Sequence, residues 1–116
     1  GGRILYEAKA RSALRLSSLQ ALSWASRERL SYTEGAIQAD AALHYDIPVL
    51  RDMPPVKIEF TWLESGGPKG IGELPFSCIP SAYSQALSQA ANIHFNSLPV
   101  GAREIQNAMK NNGETR

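Results

Sequence analysis

Gly66-Gly67-Pro68-Lys69-Gly70-Ile71-Gly72-Glu73-Leu74-Pro75 separates the two clearest periodic patterns of the chain. Upstream, Val56, Ile58, Phe60 and Trp62 alternate with Lys57, Glu59 and Thr61, the period of a half-buried strand over 56–62. Downstream, Tyr83, Ala86, Leu87, Ala90 and Ala91 recur at helical spacing. They predict a helix over 79–92, with Pro80 in its first turn and Asn92 near its end. The stretch between holds four glycines in seven residues, so its backbone turns tightly or approaches another surface closely. One carboxylate, Glu73, stands at the end of the run, and Pro75 and Pro80 fence it from the helix. Taken locally, the pattern is divided between a solvated turn and a loop that closes on a catalytic acid.

Two phosphate-loop readings fail. No Gly-Lys-Ser or Gly-Lys-Thr is present to hold a phosphate and its magnesium. The order Gly67-x-x-Gly70-x-Gly72 is not the dinucleotide fingerprint, and an acid at Glu73 would repel a pyrophosphate.

Working outward, residues 8–27 have helical composition, with Leu14, Ala21, Leu22 and Ala25 near one face. Segments 28–33 and 36–42 predict a hairpin about Thr33-Glu34-Gly35, where Gly35 takes positive φ. Pro48, Pro54 and Pro55 keep 46–55 irregular. A last helix fits 101–111, with Ile105, Ala108 and Met109 inward, and the tail beyond Asn111 is polar. The expected fold class is α+β, a small sheet covered by helices on one face. The 116 residues form one domain with a modest core, to which Tyr45, Phe60, Trp62, Phe76 and Phe95 contribute.

The formal net charge of +1 gives no global pull toward nucleic acid. Residues 1–35 hold six Lys or Arg against three acids, a solvated basic helix face before anything else. The lone cysteine, Cys78, excludes an internal disulfide and suits a reducing compartment; Ile79-Pro80 after it suggests a buried structural thiol. His44 and His94 lack metal-ligand spacing, so no zinc site is expected. No apolar run reaches the length of a membrane span and no signal-peptide pattern opens the chain, so a cytoplasmic protein is expected.

Lys69-Gly70-Ile71-Gly72-Glu73-Leu74-Pro75 resembles the loop that carries the active-site glutamate of the xanthine dehydrogenase and aldehyde oxidase family, the molybdenum hydroxylases. The usual form there is Lys-Gly-Val-Gly-Glu-Pro-Pro; here Ile71 replaces Val and Leu74 replaces the first Pro. Tyr45-Asp46-Ile47-Pro48 and the run Asp52 to Phe60 resemble the segment upstream of that loop. Ser97-Leu98-Pro99-Val100, leading into Arg103-Glu104-Ile105, resembles a segment near the C-terminus of the molybdenum-binding subunit. The resemblance covers residues 20–110. Where the family has Gln-Gly-x-Gly-x-Ala-Leu, this chain reads Ser17-Ser18-Leu19-Gln20-Ala21-Leu22-Ser23, and residues 1–16 match nothing in the pattern.

The resemblance implies a C-terminal fragment or small subunit of an enzyme that hydroxylates a heterocycle or an aldehyde with water. It implies Glu73 as the catalytic base, with Lys69, Gly70, Ile71 and Gly72 against a molybdopterin-type molybdenum cofactor. The implied partners are the remaining molybdenum-subunit segments, iron–sulfur and flavin electron-transfer subunits, and a small-molecule substrate, with no nucleic acid and no membrane. No cofactor is expected on the isolated chain, which is expected to form a homo-oligomer through the apolar face its neighbours would cover. The alternative is an inactive structural or interaction module derived from such an enzyme.

Overall fold

The computed structural model describes residues 1–38, 45–61 and 66–113. The first element, helix α1 (Glu7–Ser26), is rich in the Ala and Leu residues that favour helix. Tyr6 is extended and offers no side-chain cap; Glu7 takes the first turn, where a carboxylate complements the helix dipole, and pairs with Arg11 one turn on. Its buried residues are Ala10, Ser17, Leu19, Ala21, Ser23 and Ala25, mostly small, so neighbouring backbone approaches closely. The Ser12, Ser17 and Ser26 hydroxyls donate back to the carbonyls of Ala8, Ala13 and Leu22, which frees them from needing outside partners. The helix runs without interruption through residue 16, where the family resemblance fades, and through 17–23.

The hairpin forms about the expected turn but is short. Strands β1 (Tyr32–Thr33) and β2 (Ala36–Ile37) pair antiparallel, Tyr32 opposite Ile37 and Thr33 opposite Ala36. Glu34 and Gly35 both take positive φ, as a two-residue hairpin turn requires. The outer part of the second predicted strand, from residue 39, lies outside the described residues.

The α+β class stands, and two details of it change. All four residues of the sheet are exposed, so the helices pack on one another and not over the sheet. The strand expected over 56–62 does not join a ladder: residues 56–61 have no regular secondary structure, and Trp62 lies outside the described residues. The burial alternation is nevertheless present, with Val56, Ile58 and Phe60 half-buried and Lys57, Glu59 and Thr61 exposed. Alternation reports a packed face; it does not supply a hydrogen-bonding neighbour. Here the neighbour is α1. Arg11 donates to the Ile58 carbonyl and lies 4.9 Å from the centroid of the Phe60 ring.

A 3₁₀ turn (Leu74–Ser77) leads into helix α2 (Ile79–Ala91), which has Pro in its first turn. Asn92 closes it in the left-handed conformation, and the Ile93 N–H reaches back to Ser88 O. Of its expected inner face, Tyr83, Leu87 and Ala91 are half-buried, but Ala86 and Ala90 are exposed, and Ser84 and Ser88 are half-buried as well. The serines tie down the returning chain. Ser84 Oγ donates to Phe95 O, and Ser88 Oγ accepts from the Phe95 N–H. Tyr83 Oη donates to Val100 O, and the Val100 N–H donates to Ala25 O on α1.

Helix α3 (Ala102–Gly113) starts beside the end of α1. Glu104 caps it by accepting the Gly101 N–H and also pairs with Arg29 at 3.0 Å. A Cβ at Gly101 would lie 2.8 Å from the Ser26 carbonyl oxygen, so only glycine permits this approach. Ile105 and Ala108 are half-buried as expected, but Met109 is exposed.

The core is thin. Among the described residues the buried apolar side chains are Ala10, Leu19, Ala21, Ala25 and Val100, with Pro75 and Pro80, whereas Tyr45, Phe60, Phe76 and Phe95 are only half-buried. The accessible surface is 8875 Å², against about 6,200 Å² for a compact monomer of 12.6 kDa. The radius of gyration is 17.7 Å, against about 13 Å for a compact chain of this length. Leu5, Leu16, Trp24, Leu50 and Leu74 are among the large apolar side chains left exposed.

Candidate functional site

The glycine loop enters the 3₁₀ turn through Glu73, whose backbone (φ −95°, ψ −1°) begins the turn. Two backbone bonds hold it, Leu74 N–H to Ile71 O at 3.2 Å and Phe76 N–H to Glu73 O at 3.1 Å. Pro75 in the next position is buried, and the turn packs on α1. Glu73 therefore stands on a braced turn. Its side chain is exposed and its carboxylate has no hydrogen-bond or ion-pair partner among the described residues.

The loop glycines carry a second signal. A Cβ added at Gly66, Gly67, Gly70 or Gly72 would meet nothing within 4 Å. Gly66 needs positive φ, but Gly67, Gly70 and Gly72 do not. Nothing within the described residues explains why Gly70 and Gly72 lack side chains. Bare backbone on both sides of Ile71, facing open space, suits the close approach of a bulky group from outside.

The leading residues take part in the loop, which their unmatched sequence did not signal. The Lys69 N–H donates to Gly1 O at 3.0 Å. Gly2 has φ of +71°, and a Cβ there would lie 2.2 Å from the Gly67 carbonyl oxygen. The only sequence hint was the Gly1-Gly2 pair itself. The Lys69 side chain is exposed and passes Gly2, its Cγ 3.4 Å from that Cβ position.

A second polar cluster joins the C-terminal end of α1 to the segments that follow. Arg27 pairs with Asp52 at 3.2 Å and with Asp46 at 3.7 Å, while Arg29 and Arg103 share Glu104. The Val49 N–H that Asp52 accepts, aided by Arg27, holds its carboxyl below the ordinary carboxylate range against some burial. A carboxyl with a lowered folded pKa adds stability above its unfolded pKa, and that stability is lost as pH falls through the folded value. Asp52→Asn is therefore expected to lower the melting temperature most near neutrality, with the gap to wild type closing below about pH 4. Melting curves of both proteins across that range check this; a gap constant into acid would contradict it.

Cys78 is exposed, not buried, and its thiol donates to the Leu74 and Pro75 carbonyls at the end of the 3₁₀ turn. His94 is exposed, and His44 lies outside the described residues. Among the described residues no three His, Cys, Asp or Glu side chains gather to hold a metal. No helix among them is long and apolar enough to cross a membrane.

Known proteins resemble this chain in sequence and in fold. Over 97 residues the chain is 32% identical to a probable xanthine dehydrogenase subunit of Bacillus subtilis (strain 168), a match covering 80% of this chain and 13% of that protein. Its fold matches a part of quinoline 2-oxidoreductase from Pseudomonas putida 86 with a TM-score of 0.82, over 94% of this chain and 15% of that one, at 21% identity. Both matches support the resemblance to the xanthine dehydrogenase and aldehyde oxidase family. The structural match reaches into the leading segment that sequence alone left unplaced. The chain thus spans a small fraction of the length of both relatives. No protein-family model matches it.

Proposed function

We propose that this chain is part of a molybdenum-dependent hydroxylase, and that it supplies Glu73 as the general base of a reaction that hydroxylates a heterocycle or an aldehyde with water. The observation that carries this reading is the glycine loop: backbone without side chains facing open space, next to an unpartnered carboxylate on a braced turn. Lys69, Gly70, Ile71 and Gly72 would lie along the cofactor, with Gly70 and Gly72 giving their backbone the room for close contact. A molybdopterin-type cofactor, when bound, supplies the two-electron oxidation. The chain's own part is to hold the Glu73 carboxylate near the reacting water-derived oxygen and to take its proton.

The thin core and large exposed apolar surface support a chain that completes its fold against other segments of a molybdenum subunit. Iron–sulfur and flavin subunits would carry the electrons away, in the cytoplasm. Left by itself the chain would cover that surface by self-association. A second reading, an inactive structural module, draws support from α1. Its helix is unbroken through Ser17 to Ser23, where the family resemblance calls for glycines.

Purification of the tagged chain from its native source tests the main reading. Molybdenum is expected at one atom per chain in the purified assembly, and none on the chain produced alone. An assembly free of molybdenum, or stoichiometric molybdenum on the lone chain, would contradict it.

A further inference from the structure

An open surface cavity of about 300 Å³ lies between the leading segment, the start of α1 and the glycine loop. Ile4, Tyr6 and Ile71 contribute to its apolar wall, and Arg3, Lys9 and Lys69 also line it. Among the described residues no carboxylate does. These three cations differ from most of the basic residues around the fold. Arg11 pairs with Glu7, Arg27 with Asp46 and Asp52, Arg29 and Arg103 with Glu104, and Lys57 with Glu59. Arg3, Lys9 and Lys69 have no side-chain ion pair or hydrogen bond among the described residues. Three like charges around one concavity repel each other, and low-dielectric walls focus their field into it. A bound anion offsets that repulsion.

The cavity is built into the backbone. Gly2, in the left-handed region, crosses the Gly67 carbonyl at a distance no side chain permits, and Gly1 O accepts the Lys69 N–H. These contacts fix the leading segment against the loop and bring Arg3 to the same space as Lys69. The Glu73 side chain is not among the lining residues.

We propose that this cavity binds a small organic anion with an apolar body, a monocarboxylate of the size and shape of benzoate. The carboxylate is held by Arg3, Lys9 and Lys69, and the body rests on Ile4, Tyr6 and Ile71. The volume falls at the lower end for small-molecule sites, and an apolar lining with a few convergent charged groups is their usual character. The site shares Lys69 and Ile71 with the loop proposed to lie along the cofactor but does not include the proposed base, so Glu73→Gln separates the two readings.

Equilibrium dialysis of the full protein against radiolabelled benzoate tests this, using wild type, Lys9→Met/Lys69→Met, Lys9→Arg/Lys69→Arg and Glu73→Gln. The wild type is expected to bind one benzoate per chain at this site, more weakly at high salt, with neutral benzamide failing to compete. The methionine variant should lose about tenfold or more in affinity, since a charged hydrogen bond is removed at each position. The arginine variant should keep the site, and Glu73→Gln should bind as wild type does. Absence of saturable binding, undiminished binding by the methionine variant, or loss of binding in Glu73→Gln would overturn the proposal.

Discussion

Replacing Ala25 with Leu is expected to destabilise the fold by about 1–3 kcal/mol, the usual cost of forcing extra methylenes into a packed interior. Ala25 is fully buried, and its carbonyl accepts the Val100 N–H at 2.9 Å. Val100 is itself buried and takes the Tyr83 hydroxyl on its own carbonyl. One residue therefore joins α1, α2 and the chain that leads into α3. A larger side chain there must displace whatever packs on Ala25, which strains the Val100 N–H bond to its carbonyl. Gly101, which has no room for a Cβ against Ser26, limits how far the chain can yield. Arg15→Leu on the exposed side of α1 adds the same side chain without meeting the core, and should change stability by less than about 0.5 kcal/mol. Denaturant midpoints of the two variants check the difference. Equal midpoints would mean that the α1 interface is looser than the burial of Ala25 indicates.

That interface was only partly legible in the sequence. Helix propensity and period placed α1, α2 and α3 to within a residue or two of their observed ends, because Ala and Leu runs, Pro80 and Asn92 act locally. The inner face of α2 was legible at Tyr83, Leu87 and Ala91 but not at Ser84 and Ser88, because serine counts as polar in an apolar pattern. Ser84 and Ser88 face inward because they satisfy the Phe95 backbone, a partner several residues away that no local pattern announces. The 56–61 segment shows the opposite case. Its alternation was real, but the packed face meets Arg11 of α1 and not a second strand. The shortage of core could not be read from an ordinary apolar fraction, because composition counts apolar residues without saying what covers them.

The candidate site was legible for a different reason. Glycine spacing and a single acid are local features, so Gly70, Gly72 and Glu73 could be singled out from the chain alone. What could not be read was the brace: buried Pro75 on α1, the turn bonds to Ile71 and Glu73, and the Gly1-Gly2 crossing. Each depends on contacts distant in sequence or on backbone angles.

Glu73→Gln is expected to leave the fold intact while removing most turnover of the complete enzyme. Gln keeps the shape of the side chain but cannot accept a proton at neutral pH. Loss of a general base costs about 10²- to 10⁴-fold in rate, and more where no bypass exists. Stability should barely move, because the Glu73 carboxylate is exposed and holds no partner among the described residues, and the brace of the turn is made by backbone and by Pro75. The deciding measurement is turnover of the Glu73→Gln enzyme with its molybdenum content and melting temperature determined on the same preparation. The account predicts full metal, an unchanged melting temperature and a rate lowered at least about 10²-fold. Undiminished turnover in a metal-loaded assembly would remove Glu73 as the base and leave the inactive structural module as the better reading of this chain.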